Sequence, residues 1–340
     1  MIEKLGKLII AGFRGLKISN DTQIRDWINN FHISGVILYD VDLEYYSLGS
    51  RNIQSKGQLK RLTSSLQSLN DEKLFICIDQ EGGRVNRLKS DYGFPKFESW
   101  NKIGIKDDQA YTKSYAKKVG QELSDLGINF NLAPVLDFDY GKESFISLQE
   151  RSISLDPELI VKHSKTFINE LEKLKILSCG KHFPGQGSAS GDTHEGLVDI
   201  TKTWDKKELI PYSDLIKENI LNSIIVAHTF HKNLDPKYPS SMSGDTINKL
   251  LRKELGFDGL VISDDPSMKA ISDHYNLKTT IQTMLNAGVD LLIFGNNLNY
   301  DPDLIPKAIN CLCELFEEGL IRESRINQSI ERINRIKSKL

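Results

Sequence analysis

Eight short apolar runs punctuate the chain, each ending in polar or glycine residues. They are Leu8–Phe13, Gly35–Tyr39, Leu74–Ile78, Phe130–Leu136, Ile176–Gly180, Ser223–Ala227, Gly259–Ile262 and Val289–Phe294. They are rich in Val, Ile and Leu at consecutive positions, the pattern of parallel strands covered on both faces. Segments of helical length lie between them: Gly57–Leu69, Gln109–Leu126, Pro157–Leu174, Lys206–Glu218, Asp245–Leu255 and Leu277–Ala287. Asp303–Glu317 follows the eighth run, and Glu323–Ser338 closes the chain. Leu159, Val161, Phe167 and Leu171 recur near the helical period in one of them. Strand and helix alternating eight times predict an α/β fold, a (β/α)8 TIM barrel, in one domain over residues 1–340. An open doubly wound sheet is the alternative. The dinucleotide-binding turn expected there is missing, because Ala11-Gly12-Phe13-Arg14-Gly15 does not fit G-x-G-x-x-G.

Composition narrows this picture little. The 340 residues are 39% hydrophobic and 26% charged, with a net charge of −2 from 44 basic and 46 acidic residues. That balance favours neither nucleic acid nor an anionic membrane as a partner. The opening apolar run is too short for a signal-peptide core, and no stretch reaches membrane-spanning length, so a cytoplasmic protein is expected. Cys77, Cys179, Cys311 and Cys313 match no disulfide or zinc spacing and read as buried reduced thiols. Oligomeric state is not readable from the chain, and a monomer is the default expectation.

Reactive side chains collect just past the C-terminal ends of the apolar runs, where barrel enzymes build their sites. Asp79, Glu81 and Arg84 follow the third run, and Asp137, Asp139 and Arg151 the fourth. Lys181, His182, Asp192 and His194 follow the fifth, His228 and His231 the sixth, and Asp264 and Asp265 the seventh. The loop from Lys181 to His194 holds three glycines and several small polar residues, so it is expected to be mobile and exposed. Asp192 and His194, two apart, point the same way in an extended segment. A carboxylate beside an imidazole fixes its tautomer and raises its pKa, which suits proton transfer. The plainer reading is a turn-capping Asp next to an incidental His. Asp264, directly after a buried run, is held rigidly and suits a nucleophile. Its plainer reading is a helix N-cap before Pro266, a role that Asp265 fits better. Asp79 could accept hydrogen bonds from sugar hydroxyls, while Glu81 and Arg84 are expected to pair and shape the turn.

Taken together, several segments resemble glycoside hydrolases of family 3, and within them the β-N-acetylhexosaminidases of the peptidoglycan-recycling type. They are Ile78-Asp-Gln-Glu-Gly-Gly-Arg-Val85, Asn131-Leu-Ala-Pro-Val-Leu-Asp137, Lys181-His-Phe-Pro-Gly185, Asp192-Thr-His194, Val226-Ala-His228 and Gly256-Phe-Asp-Gly-Leu-Val-Ile-Ser-Asp-Asp265. The resemblance implies retaining hydrolysis with Asp264 as nucleophile and His194 as acid/base supported by Asp192. It implies that Asp79, Arg151, Lys181 and His182 hold N-acetylglucosamine, with Met268 near the sugar. It also implies a compact cytoplasmic enzyme acting on a small carbohydrate, with no cofactor and no metal.

Two departures touch the site. The family's loop continues with His-Gly-Asp-Thr after Pro-Gly, where this chain has Gln186-Gly187-Ser188-Ala189, and Pro266 replaces a usual leucine. These leave a catalytically impaired sugar-binding barrel open as an alternative, beside a β-glucosidase or xylosidase and a glycoside phosphorylase. A metallohydrolase built on His228 and His231 with His194 or Asp264 fits poorly, because the i, i+3 pair sits at a strand end.

Overall fold

A computed structural model describes residues 1–45 and 47–340. Its central strands are β1 (Ile9–Gly12), β2 (Gly35–Leu38), β3 (Phe75–Ile78), β4 (Phe130–Asn131), β5 (Leu177–Ser178), β6 (Gly180–Phe183), β7 (Ser223–Val226), β8 (Leu260–Ser263) and β9 (Leu292–Phe294). Every residue in them is buried, so both faces meet protein. Neighbours pair in parallel in the order β9-β1-β2-β3-β4-β5, with β6-β7-β8 as a second sheet. The fold is TIM-barrel-like, but its ladder is not closed. The fifth barrel position is split at Cys179 into β5 and β6. The two sheets meet through isolated bridges, Val135 with Lys181 and Ile262 with Leu291.

Side chains from neighbouring strands interlock. Phe75 on β3 meets Phe130 on β4 edge-on, with ring centroids 5.3 Å apart. Each Leu or Ile taken fully out of water here contributes about 1.5–3 kcal/mol. Helices wrap the outside, and their ends follow local chemistry. Asp108 accepts from the Ala110 and Tyr111 amides to start Gln109–Asp125. Asp156 with Pro157 opens Pro157–Glu172. Gly288, at φ +116°, ends Leu277–Ala287 in the left-handed region that favours glycine.

Several expectations need correction. The helix Gln23–Asn29 after β1 was not anticipated, being short and broken by polar residues. Asp245–Glu254 is wound as a π-helix. The fourth apolar run is a strand only over Phe130–Asn131, since Pro134 within it lacks a ladder donor. The fifth run extends to Phe183, which places Lys181 and His182 in a strand. Cys77 and Cys179 are buried, whereas Cys311 and Cys313 are only half-buried on the helix Leu304–Glu317. Among the described residues, no helix is long and apolar enough to cross a membrane.

Candidate functional site

Just past β3, Gln80 staples the chain on itself. Its Oε1 accepts from the Arg87 and Leu88 amides, each at 3.1 Å. The Asn131 side chain at the end of β4 exchanges two hydrogen bonds, both 3.1 Å, with the Gln80 backbone. This turn delivers Asp79 and Glu81 to the mouth of the barrel. The expected Glu81–Arg84 pair does not form. Arg84 reaches towards Gln149 at 3.4 Å, and Glu81 turns inward to other cations.

Arg151 grips Glu81 with two hydrogen bonds of 2.8 Å, from Nε and from a terminal nitrogen. Lys181 Nζ lies 2.6 Å from Glu81 and 2.9 Å from Asp79. Burial alone would raise the Glu81 carboxyl, but Arg151 and Lys181 hold it far below the usual carboxylate range. In return, their partners outweigh burial and keep both cations charged. His182 stands beside them, its Nδ1 2.7 Å from Asp137 and its Nε2 3.3 Å from Arg151.

The adjacent carboxylates Asp264 and Asp265 have opposite environments. Asp265 Oδ1 accepts from the Ser267 amide at 2.9 Å and its hydroxyl at 2.6 Å, while Oδ2 accepts from the Gly295 amide at 2.9 Å. It therefore closes the turn through Pro266 and ties it to the end of β9, and is not the helix N-cap expected of it. The following helix itself begins only at Lys269. Burial, with Asp264 alongside, raises the Asp265 carboxyl. Among the described residues, Asp264 accepts one hydrogen bond, from the Asp265 amide at 3.0 Å. Burial would raise it too, but His228, His182, His194 and Lys181 bring it below the ordinary value. Asp264 is thus an ionised group with oxygen lone pairs free for a ligand.

Asp192 Oδ1 lies 2.7 Å from His194 Nδ1 and accepts the His194 amide at 2.9 Å. It both caps a turn and orients the ring. Nδ1 carries the proton towards Asp192, leaving Nε2 for a ligand. Burial lowers the imidazole, but Asp192 and the more distant Asp264 raise it overall.

Two connected hollows hold these groups. One of about 330 Å³ is lined by Tyr39, Asp79, Arg87, His194, Asp264 and Asn297, among others. A second, of about 120 Å³, adds Arg151, Lys181, His182 and Asp192. Asp79, His194 and Asp264 line both. Met268, expected near the sugar, is buried outside these walls with its amide on the Asp265 carbonyl at 3.0 Å, and Arg84, Asp137, Asp139, His228 and His231 are absent from the walls too. Arg87, which lines both hollows, escaped the sequence reading although it lies in the same turn as Asp79. Asp40 and Asn297 also line the larger hollow, past the second and eighth runs, and carry no motif that marks them in the sequence.

The segment from Lys181 to Ala189 is buried, contrary to the expectation of an exposed loop. Its amides are taken up by buried carboxylates: Asp137 accepts from Gln186 at 2.8 Å and Glu208 from Gly187 at 3.1 Å. His228 bonds to the Ser241 hydroxyl at 2.7 Å and the Asp265 carbonyl at 3.0 Å, while His231 packs edge-on against Trp204. No group of three His, Cys, Asp or Glu among the described residues forms a metal-ligand set.

Residues 1–336 match the glycosyl hydrolase family 3 N-terminal domain, and the chain belongs to that family. Among its relatives is the β-hexosaminidase A of Pseudoalteromonas piscicida, 30% identical over 94% of this chain and 55% of its own length. The β-hexosaminidase of Hydrogenovibrio crunogenus is 33% identical over 78% of this chain and 72% of its own. A family 3 β-N-acetylglucosaminidase from Paenibacillus sp. FPU-7 superposes with a TM-score of 0.89 at 30% identity, covering all of this chain and 62% of that one. The chain thus spans little more than half the length of some of the relatives it matches.

Proposed function

We propose that this barrel is a retaining β-N-acetylhexosaminidase that removes terminal β-linked N-acetylglucosamine through a covalent intermediate on Asp264. The observation that carries the reading is the pairing of an ionised, sparsely bonded Asp264 with the Asp192–His194 couple across one sugar-sized hollow. Two groups are needed. One attacks the anomeric carbon, and the other protonates the departing oxygen and then activates water. Asp264 supplies the first. His194 supplies the second through Nε2, with Asp192 stabilising the imidazolium before transfer.

Asp79, Lys181, Arg151 and His182 fix the sugar's hydroxyls from the opposite wall, which removes orientational freedom before reaction. Ion pairs centred on Glu81 and Asp79 hold Arg151 and Lys181, Asp137 holds His182, and Met268 closes the Asp265 turn through its amide. The names of the relatives support N-acetylglucosamine as the sugar. We further assign residues 1–340 to one catalytic unit acting in the cytoplasm on peptidoglycan fragments, on the strength of the motif resemblance.

The test compares initial rates on aryl β-N-acetylglucosaminide and aryl β-glucoside in metal-free, phosphate-free buffer. Strong preference for the N-acetyl sugar is expected. Equal rates would sink the sugar assignment, and release only after adding phosphate would turn the reading to phosphorolysis.

A further inference from the structure

Glu208 lies far from the hollow in sequence and is not needed to close any helix, yet it is a fully buried carboxyl under the Pro184–Ala189 segment. Its Oε2 accepts from the Gly187 amide at 3.1 Å, and the Tyr140 hydroxyl approaches Oε1 at 3.4 Å. The fit is tight. A Cβ at Gly185, where φ is +123°, would stand 2.6 Å from Glu208 Oε2. A Cβ at Gly187 would stand 2.5 Å from the Phe138 carbonyl. Gly185 is therefore needed for the segment to lie on Glu208, and Gly187 for it to pass the Phe138 backbone.

From this seat a short path leads to the acid/base couple. Gln186, flanked by the two glycines, has its amide fixed by Asp137 at 2.8 Å. Its side-chain Nε2 extends to the Thr193 hydroxyl at 3.5 Å. Thr193 is buried between Asp192 and His194, and its carbonyl accepts from the Ala270 amide at 3.2 Å, beyond the Asp264 turn. Gln186 is one of the residues by which this chain departs from its family's loop, so the link belongs to this sequence.

We propose that Glu208 is a positioning residue that sets His194 over the sugar by seating Gly187 and, through Gln186 and Thr193, the Asp192–His194 turn. The inference rests on the reading of His194 as acid/base. Glu208 touches no substrate. Three ionisable side chains surround it: Asp137 from the segment after β4, Tyr140 just beyond it, and Tyr212 from the helix Ile210–Lys217. Asp205 caps its own turn and also holds the Glu208 amide. Burial, with Asp137 adding repulsion, pushes the carboxyl up to about 8. The seat is therefore held by a neutral acid near neutrality. Ionisation strengthens the Gly187 bond but puts a buried charge beside Asp137, and this larger cost strains the seated arrangement as pH rises through about 8.

The experiment measures kcat/KM for two β-N-acetylglucosaminides, one with an activated aryl leaving group and one with a poor alkyl leaving group. It uses wild type, Glu208→Ala, Glu208→Gln and His194→Ala, each checked for Tm. Glu208→Ala should lose roughly 10- to 100-fold on the poor leaving group and only a few-fold on the activated one, the pattern of a misplaced acid. Glu208→Gln, a permanent neutral mimic, should keep the wild-type ratio at neutrality. Above pH about 8 it should lose poor-leaving-group activity less steeply than wild type, since the His194 titration is common to both. Should Glu208→Ala not fold, that pH comparison alone carries the test. Equal loss on both substrates in Glu208→Ala, or superimposable profiles of Glu208→Gln and wild type above pH about 8, overturns the proposal. Selective loss in His194→Ala without it in Glu208→Ala removes only the Glu208 role. Equal loss on both substrates in His194→Ala removes the acid role itself.

Discussion

On the β3 and β6 side of the hollow, Asp79, Glu81, Arg151 and Lys181 form a continuous ion-pair network with little water contact. On the facing side, Asp192 and His194 share a single side-chain bond, and the imidazole is 53% exposed. Lys181 stands in β6 and Asp79 and Glu81 in the stapled turn after β3, and Arg151, from the segment after β4, is locked onto Glu81. The Asp192–His194 pair hangs from a segment whose course is set by buried amide acceptors. Sugar recognition is thus built into rigid elements, whereas proton transfer depends on how a loop is seated. Exposure also fits the roles, because the leaving group must depart and a water must reach His194 before the second half-reaction, while a sugar-binding wall works best dry.

Breaking the site on its rigid side should give the largest effects. Asp264→Asn removes the nucleophile while keeping the shape, so kcat should fall on the order of 10³- to 10⁵-fold with Tm little changed. Near-wild-type turnover would remove Asp264 from the chemistry. Glu81→Gln leaves Arg151 and Lys181 buried without their shared counter-charge. A loss of about 3–5 kcal/mol is expected in denaturant unfolding. The Glu81 carboxyl is held far below its ordinary value of 4.5, so its contribution is full above that value and fades as pH falls through the folded-state value. Wild type should therefore lose its advantage over Glu81→Gln in acid, and a constant gap would contradict the network.

Changes on the loop side should be smaller and more selective. His194→Ala should lose about 10²- to 10³-fold on poor leaving groups and far less on activated aryl glycosides. Asp192→Asn should give the mildest effect. It removes the charge that raises His194, so the basic limb of kcat/KM should move to lower pH. The acid limb should move less, because Asp264 must be ionised and its depressed value is set first by His228 and His182, with His194 a smaller contributor. A larger movement of the acid limb would break the division between the two sides.

The rigid side was the more legible in sequence. Asp264 announces itself by standing directly after an apolar run, and Asp79 likewise, because strand ends aim side chains by period alone. What could not be read was who pairs with whom. Glu81 lies three residues from Arg84 but pairs with Arg151 and Lys181, since burial selects partners that can leave water together. The glycine-containing loop from Lys181 to His194 reads as mobile and exposed in sequence. Its glycines instead permit close packing on Glu208 and Phe138, a use of glycine that composition alone cannot distinguish from flexibility. The broken ladder at Cys179 also left no mark, as the apolar run continues through it.

The covalent intermediate gives the most direct test. The protein would be incubated with a fluorinated N-acetylglucosaminide donor that slows the second displacement, and its intact mass and peptides measured. One sugar attached to the peptide holding Asp264, and none in Asp264→Asn, is the predicted result. Steady turnover of the same donor with that peptide unmodified, or a sugar on any other residue, would contradict Asp264 as the nucleophile.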